Sequence, residues 1–526
     1  MKTIKPGKTA SGSSPSELRQ AEVILALSLA TDLGTGRPME WAMRSTLLGM
    51  RLGEALGMDE TELRDVYYCS LLIYIGCTSE IELALQLFGD DPQAGLAAVD
   101  LINKSDPRQM MSWMFKYLGA GKPVLDRLHT FSNISQHMTD YKRSHCEVAQ
   151  RLAERLGLEP SIQTALTQLG EQWDGQGEPN KLKGEAIARP MRVALLVRDI
   201  EAHLYTHGIE AAVTIVRQRS GNIHDPEISS LFCEQASTLC SSLEQDATWE
   251  TLLSIEPRPR KYSPNEFDNA ALVMADFIDL ASPSFSGHSR NVASLAESSG
   301  TLFGLPESDR KLVWRAALAH DLGKIAVPMG LWSKPVPLNQ AEWEKVRLHP
   351  YYTERILSRP SELARLGAVA SLHHEKLDGS GYHRRIQADG ISPAARLLAA
   401  ANFYQARVEP RPHRDSQLPD QVAQTMRQEV RAGRLDSEAV NCVLQAAGHR
   451  TPPIRRERVA GLTEREIDVL RLLARGFSNR QMAQTLGITE KTAGNHVTHI
   501  YEKIGCSTRS AATLFAMQHH LLSETG

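Results

Sequence analysis

Long apolar runs, clustered cysteines and alternating apolar–polar stretches are all scarce in this chain. No apolar run among the 526 residues approaches the length of a membrane-spanning helix, so we expect no membrane partner. The seven cysteines are dispersed without a CxxC pair, which is typical of reduced thiols in a cytoplasmic protein. The net charge of −3 gives the whole chain no bias toward nucleic acid, so any such bias must be local.

Helical spacing of apolar residues dominates from about Ser16 onward, and we therefore expect an all-α fold. The chain is too long for one hydrophobic core. Stretches rich in proline and charge predict linkers at residues 246–267 and 448–460, the second of them basic. Residues 1–15 have lysine, glycine and serine but no apolar centre, and we expect a disordered arm there.

Residues 284–414 hold a concentrated set of side chains that can bind a divalent metal. In chain order these are His288, His320-Asp321 with Lys324, His349, His373-His374-Glu375, and then Asp378, Gly379, Gly381 and Tyr382. Imidazoles and carboxylates are the usual ligands of zinc, manganese and iron, and one carboxylate can bridge two metals. A His-Asp pair inside the apolar segment 316–327 is costly to bury without a partner or a metal.

These motifs, in this order over about residues 268–445, resemble the HD-GYP subset of the HD phosphohydrolases. The resemblance implies a helical bundle, here residues 268–447, whose metal centre hydrolyses cyclic dinucleotides. It implies a first metal held by His288, His320, Asp321 and Asn402, and a second held by Asp321, His349, His373 and His374. It also implies catalytic roles for Asp321 and Lys324, and phosphate contacts from Arg411 and Arg414.

The chain departs from the family pattern at three positions. Asn402 replaces an aspartate, so the first metal loses a negative ligand and should bind more weakly. Ser284 stands where members with a third metal have a glutamate, and His383 replaces the proline of GYP. We therefore expect one or two divalent ions, of Fe, Mn or Zn, and leave catalysis open.

The first half repeats part of this pattern. Placing Glu171 on Glu375 also places Asp174 on Asp378, Gly177 on Gly381 and His145 on His349. With a different offset, Ile73-Tyr74 take the place of the His-Asp pair, and Cys77 takes that of Lys324. Leu169-Gly170 correspond to the paired histidines and Arg44 to His288. Residues 16–245 are thus predicted to be a degenerate HD-GYP-like helical domain; the alternative is an unrelated helical domain with a chance match.

The C-terminal residues 461–526 show four short helices separated by glycines and started by capping residues. Thr463 with Glu466 and Ser478 with Gln481 form capping boxes, and Gly487 separates two short helices as in a helix-turn-helix. The segment resembles the LuxR-type DNA-binding domain throughout. From Arg450 to the end, eleven Lys and Arg stand against seven Asp and Glu, which suits phosphate contact.

The resemblance implies double-stranded DNA as a partner and assigns the third helix to recognition. We expect Gly494, Asn495 and Thr498 to face base edges, and Lys491, Thr492 and Lys503 to lie near phosphates. Readers of this type commonly act as homodimers on paired half-sites.

Three functions remain open from the sequence. The first is a transcription regulator whose HD-GYP-like domain senses a nucleotide or phosphoester ligand. The second is an active phosphodiesterase, of the cyclic di-GMP type, joined to a DNA-binding module. The third is a scaffold whose metal is structural. Asn402 and the erased first copy favour the first, whereas the intact His320-Asp321-Lys324 and HHE motifs favour the second.

Overall fold

A computed structural model describes residues 18–88, 95, 98, 101–102, 107–119, 140, 142–359, 362–450, 459–519 and 521–522. Over these residues the backbone forms α- and 3-10 helices with no β-strand, only isolated bridges, which confirms the all-α prediction. The chain divides into two compact units, residues 1–450 and 451–526. The predicted arm, 1–15, and residues 451–458 of the predicted basic linker lie outside the described residues. No helix in the described ranges is long and apolar enough to cross a membrane.

The first half of the larger unit is a bundle of mostly short helices. Their bounds are Gln20–Gly34, Trp41–Ala55, Glu60–Leu72, Ile81–Phe88, Pro107–Tyr117, 142–155, Pro160–Leu166, Arg189–His207, Ile209–Arg219, Pro226–Leu239, Leu243–Asp246 and Trp249–Ile255. Local capping sets several of the starts. The carboxylate of Asp59, for example, accepts hydrogen bonds from the backbone N–H groups of Thr61 and Glu62.

The helix Gln20–Gly34 joins the two halves of this unit. Its sequence is apolar on every side, and such a helix is stable only when it is surrounded by protein. It packs against helices of the first half and also against the helix His349–Leu357 of the second. Gly34 lies so close to Ile325 that an added Cβ would be 2.3 Å from the Cγ1 atom of that side chain. The second half therefore buries part of its surface on the first.

The stretch 246–267, predicted to be a linker, contains the helix Trp249–Ile255. Trp249 and Leu252 from this helix are buried. Ser263 then caps the next helix: its hydroxyl accepts from the N–H of Glu266, and its own N–H donates to the Glu266 carboxylate.

The second half of the larger unit is a second helical bundle. Its helices are Pro264–Asp279, His288–Phe303, Glu307–Ala319, Met329–Trp332, Gln340–Val346, His349–Leu357, Glu362–Ala370, Pro393–Val408, Pro419–Arg431 and Ser437–Ala446. The helix His288–Phe303 packs against Glu307–Ala319, Pro393–Val408 and Ser437–Ala446. Its buried face is made of small side chains, including Ala293, Ala296 and Gly300, so these neighbours approach closely. Several helix ends consequently meet in one place.

The described residues of the smaller unit, 459–519 and 521–522, form four α-helices, Glu464–Ala474, Asn479–Leu486, Glu490–Ile504 and Arg509–Gln518. Their starts follow the predicted caps, with Thr463, Ser478, Thr489 and Thr508 each accepting a backbone N–H. Gly487 and Gly505 end the second and third helices in the left-handed conformation. A small core that includes Leu470, Met482 and Ile500 holds the four helices together.

Candidate metal centre

The predicted metal ligands of the second half converge on one buried point. They reach it mostly from helix ends: His288 begins a helix, His320 and Asp321 follow one, His349 begins another, His373 and His374 follow one, and Asn402 lies inside one. All are buried except His374, which is half-buried. The structure thus brings together all seven residues that the sequence singled out.

A glycine permits the close approach of the turn that carries the His-Asp pair. A Cβ on Gly323 would lie 2.0 Å from the carbonyl oxygen of His349, so only glycine fits there. Thr353 ties the same turn down: its hydroxyl accepts from the N–H of Gly323 and donates to the carbonyl of His320, both at 2.9 Å. The two helices that deliver Asp321 and His349 are held together by these contacts.

Asp321 lies at the middle of the cluster. Its Oδ2 is 3.2 Å from His320 Nε2 and 3.6 Å from His288 Nε2. Its Oδ1 is 3.6 Å from the Nε2 atoms of both His349 and His373. One carboxylate therefore faces two groups of imidazoles, the arrangement that a bridging ligand of two metals requires.

The histidine rings are oriented by bonds on the side away from the centre. The Nδ1 atoms of His320, His349 and His373 lie 2.6 to 2.7 Å from the backbone carbonyls of Ala317, Val346 and Ala370. A carbonyl only accepts, so each Nδ1 carries a proton, and each ring turns its Nε2 toward the centre. Backbone carbonyls in this role are common around metal-binding histidines.

The inward-facing Nε2 atoms of His349 and His373 favour a cation between them. The Nε2 atoms of His349 and His373 are 3.0 Å apart, and His320 Nε2 makes no hydrogen bond. Burial lowers the pKa of His349 to about 4 and holds the pKa of His373 well below its usual range, so both rings are neutral at neutral pH. Two facing acceptors beside a carboxylate repel one another, and a divalent ion relieves that repulsion. The residues present therefore fit a metal.

Two sets of ligand atoms are close enough for two ions. One set comes from His288, His320 and Asp321, and the other from His349, His373 and His374. Asn402 adds its Oδ1, 3.2 Å from His288 Nε2. Burial opposes ionisation of Asp321, but the adjacent His320 and Lys324 overcome it and hold the pKa of this carboxyl well below its usual range.

Lys324 is buried against the same carboxylate. Its Nζ is 2.5 Å from Asp321 Oδ2 and lies 4.6 and 5.2 Å from the ring centres of Phe285 and Trp332. Burial lowers the pKa of Lys324, and the Asp321 carboxylate opposes that change. The ring of Trp332 also meets the ring of His349 edge to face at 5.6 Å. Phe285 and Trp332 thus form an aromatic wall that positions the lysine, and sequence reasoning missed both.

Two further carboxyl groups near the centre were also missed. Glu409 Oε2 lies 2.6 Å from His288 Nδ1, and its bond to His288 outweighs burial and lowers the pKa of Glu409 to about 2. Asp279 accepts from the N–H of Gly287 at 2.8 Å, and burial raises its pKa to about 7. Glu409 lies seven residues beyond Asn402, two helical turns on, and that spacing was the available signal.

The loop that carries the DGxGY motif supports the centre rather than binding at it. The Glu375 carboxylate accepts from the N–H groups of Arg384 and Arg385, at 2.8 and 3.1 Å. A Cβ on Gly381 would be 2.4 Å from the nitrogen of Lys376, so the loop folds back tightly. The ring of Tyr382 then stacks on His374 at 4.7 Å between ring centres.

The first half has the same supports around a different interior. A Cβ on Gly76 would lie 2.2 Å from the His145 carbonyl oxygen, as at Gly323. Arg44, at the position of His288, forms a buried ion pair with Glu201. The Nε2 of His145 is 3.2 Å from the carbonyl of Ile73, a neutral acceptor. Within the described residues no metal-type cluster occurs in this half.

Two family models match separate parts of the chain. Residues 272–439 match the HD domain model, and residues 460–516 match the model of bacterial regulatory proteins of the luxR family. The chain carries an HD domain followed by a luxR-family domain.

Two phosphodiesterases of Vibrio cholerae serotype O1 are similar to this HD-domain protein. The 3'3'-cGAMP-specific phosphodiesterase 3 is 29% identical over 418 residues, which cover 78% of this chain and 91% of that protein. The 3'3'-cGAMP-specific phosphodiesterase 1 is 32% identical over 186 residues, which cover 35% of this chain and 43% of that protein. The match to the second relative thus spans less than half of its length.

A solved structure shows the same fold. The crystal structure of the V. cholerae cyclic GMP-AMP specific phosphodiesterase V-cGAP3 superposes with a TM-score of 0.57 at 24% identity, over 83% of this chain and 99% of that chain. This share is too large for the HD domain alone, so the likeness of fold includes much of the first half.

The two arginines predicted to contact phosphate differ in placement around the HD domain's metal centre. The Arg411 guanidinium donates to the carbonyl of Ser284 at 2.9 Å and lies 3.5 Å from the Glu409 carboxylate, at the edge of the centre. Arg414 donates to the carbonyls of Ala406 and Arg407 at a helix end. Only Arg411 is therefore brought to the ligand cluster.

The luxR-family domain presents its third helix, Glu490–Ile504, with much of one side exposed. Lys491, Asn495 and Thr498 are exposed, whereas Thr492 and Gly494 are half-buried. Both oxygens of the Glu466 carboxylate lie 2.7 and 2.9 Å from the Nζ of Lys503. Despite burial, this bond lowers the pKa of Glu466 to about 2. Lys503 is therefore already paired with a carboxylate of its own domain.

Proposed function

We propose that this protein is a transcription regulator whose HD domain binds a cyclic dinucleotide at a divalent-metal centre and thereby changes DNA binding by the luxR-family domain. The observation that carries the proposal is the coexistence, in one chain, of a converged His-Asp ligand set and a helix-turn-helix domain with exposed polar recognition residues. The cyclic dinucleotide is the substrate class named for the relatives.

The ions are Mn, Fe or Zn, since these suit mixed imidazole and carboxylate ligands. When bound, they supply Lewis acidity and lower the pKa of a coordinated water. The protein's own groups then position the phosphodiester. Lys324, beside Asp321 and fixed by the aromatic wall, places a positive charge toward a phosphate oxygen, and Arg411 approaches from the side of Glu409.

A binding experiment tests the ligand. Purified full-length protein, loaded with Mn²⁺, is titrated with 3'3'-cGAMP and with cyclic di-GMP in a calorimeter. We expect saturable binding of at least one of them, lost in Lys324→Met, whereas Lys311→Met, at a half-buried lysine that pairs with Asp268, should bind as the wild type does. Absence of binding by either nucleotide, with metal present, would contradict the proposal.

A second experiment tests the coupling to DNA. The full chain selects duplexes from a random-sequence library, and fluorescence anisotropy then measures its affinity for the selected duplex. We expect the affinity to change with the bound dinucleotide, and Lys491→Ala to weaken binding and reduce the salt dependence by about one phosphate contact. Equal affinity for the duplex with and without nucleotide would mean that the two activities are not coupled, and it would contradict the regulatory proposal.

Hydrolysis is the second candidate function, and the intact Asp321, Lys324 and paired histidines favour it. The test is release of linear dinucleotide by the wild type and by Asn402→Asp under saturating Mn²⁺. Turnover by the wild type would make the protein a phosphodiesterase joined to a DNA-binding domain. Turnover by Asn402→Asp but not by the wild type would indicate that the wild-type site acts as a sensor.

We further propose a homodimer that reads paired half-sites, in the cytoplasm where the dispersed thiols stay reduced. Support comes from the last helix, where Leu514 and Met517 are each 56% exposed. Light scattering of the full chain tests it: a dimer that Leu514→Lys converts to a monomer is expected, and a wild-type monomer bound alone to DNA would contradict it.

As domain bounds we propose 16–245, 268–447 and 461–526.

A further inference from the structure

We propose that Glu409 supplies, through His288, the negative charge that Asn402 does not bring to the first metal site. The inference deepens the proposed function, because it rests on metal binding by the HD domain. It makes Glu409 a positioning residue for a ligand, since its carboxylate touches His288 and not the ion.

The contact between Glu409 and His288 is short and well supported. Glu409 Oε2 is 2.6 Å from His288 Nδ1. The other oxygen, Oε1, accepts from Gln405 Nε2 at 2.8 Å and from Asn291 Nδ2 at 3.2 Å. Arg411 lies farther away, 3.5 Å from Oε2. The carboxylate is therefore aimed at the imidazole, and the arginine contact is secondary.

His288 differs from the other oriented ligands in the kind of partner it has. His320, His349 and His373 each donate from Nδ1 to a neutral backbone carbonyl. His288 donates to a carboxylate, which makes the imidazole a stronger electron donor at Nε2 than a carbonyl does. The Nε2 atom, in turn, points at Asn402 Oδ1 and Asp321 Oδ2, at 3.2 and 3.6 Å.

Asn402 and Glu409 therefore act on the same imidazole from opposite sides. Asn402 lies in the helix Pro393–Val408, and Glu409 is the residue just after that helix. The two are seven positions apart and therefore lie on one face. A carboxylate at position 402 would put the charge in direct contact with the metal. Here an amide occupies that position. The Glu409 carboxylate, two turns later, places the charge behind the imidazole of His288, to which it is hydrogen-bonded.

The test is a Mn²⁺ titration of the metal-free full chain by calorimetry. We expect Glu409→Gln to weaken one of the two sites by about 10- to 100-fold while the other is unchanged. Asn402→Asp alone should tighten that same site. The double variant, with the original total charge, should return to within about tenfold of the wild type, as expected for coupled neighbours.

A matched control is available within the same domain. Asp420 also lies beside a histidine, with Oδ1 at 3.4 Å from His449 Nδ1, but His449 is not among the ligands. Asp420→Asn should leave both Mn²⁺ sites as they are. Thermal unfolding of each metal-free variant checks the fold, and Glu409→Asp, which keeps the charge, should bind more tightly than Glu409→Gln.

Four results would overturn the inference. Wild-type affinity in Glu409→Gln would show that the carboxylate does not reach the metal site. An equal loss at both sites, or a loss that Asn402→Asp does not recover, would indicate a structural role. If the wild type binds no Mn²⁺, Fe²⁺ or Zn²⁺, the proposed function fails together with the inference, whereas the other results leave it standing.

Discussion

The two halves of the larger unit have similar steric contacts at two turns and different side chains around them. Gly76 and Gly323 both allow a turn to press on a backbone carbonyl, of His145 and His349 respectively. Inside, the second half gathers imidazole lone pairs around Asp321, whereas the first half has the Arg44–Glu201 ion pair. These shared contacts are steric and backbone-based, so they do not depend on which side chains fill the interior. We propose that the first half is a copy of the second whose metal centre was erased.

The largest expected effect comes from removing the central charge. Asp321→Asn keeps the size of the side chain but removes the carboxylate that both ligand sets share, and we expect affinity for Mn²⁺ to fall by more than about 100-fold. Tyr74→Phe, at the corresponding position of the first half, should not change it. Metal content after dialysis is the measurement, and retention of two ions by Asp321→Asn would break the comparison.

The shared scaffold is tested by paired glycine substitutions. An added methyl group would lie 2.2 Å from a carbonyl oxygen in Gly76→Ala and 2.0 Å in Gly323→Ala, where backbone must move. We expect each to lower the free energy of unfolding by about 3 kcal/mol or more, measured by urea denaturation. Gly390→Ala, whose nearest neighbour would be 3.5 Å away, is the control. A neutral Gly76→Ala would mean that the two turns are not equivalent.

The interiors should also differ in their response to pH. Burial raises the pKa of Asp32, in the first half, to about 8, while that of Asp321 is held low. A carboxyl with a raised folded pKa stabilises the fold below its unfolded pKa near 4, and this contribution is lost as pH rises through about 8. Arg37, Glu201 and the N–H of Ala42 are the groups that act on it.

Urea unfolding near pH 6 and near pH 9 measures that difference. We expect the wild type to lose more stability between these conditions than Asp32→Asn, which cannot ionise. Parallel changes in the two proteins would show that Asp32 ionises normally in the fold.

The smallest effect concerns the loop that both halves share. Glu171 accepts from the N–H groups of Asn180 and Leu182, as Glu375 does from Arg384 and Arg385. Replacing either carboxylate by glutamine should cost about 1–2 kcal/mol in the free energy of unfolding. Only Glu375→Gln should also weaken metal binding, because its loop carries Tyr382 against His374. Metal affinity lowered equally by Glu171→Gln would contradict this division.

The predictable features of this protein are those whose cause lies within a turn or two of chain. Thr463 and Glu466 predict a helix start because both act on the same backbone groups, three residues apart. His320 and Asp321 stand in an apolar segment, where burying a polar pair is costly without a partner or a metal. The similarity of the two sequence stretches could be recognised because Gly177 and Gly381 are both fixed by the local backbone, which leaves no room for a side chain.

Other features depend on partners far away in the chain. Glu409 meets His288 across 121 positions, and Lys503 meets Glu466 across 37. The sequence predicted Lys503 near phosphate because nothing within the recognition helix indicates a carboxylate 37 positions away. Trp332 and Phe285 similarly reach Lys324 only after folding.

By itself the sequence determined the helical fold, the order of the modules, and the residue types of the metal centre and the DNA-binding helix, because periodicity, caps and motif spacing are local properties. Only the tertiary structure decided which nitrogen of each histidine faces the centre, which carboxylate supports His288, and which lysine of the recognition helix is already paired. Those outcomes depend on which helix ends packing brings together, and packing is a property of the whole chain.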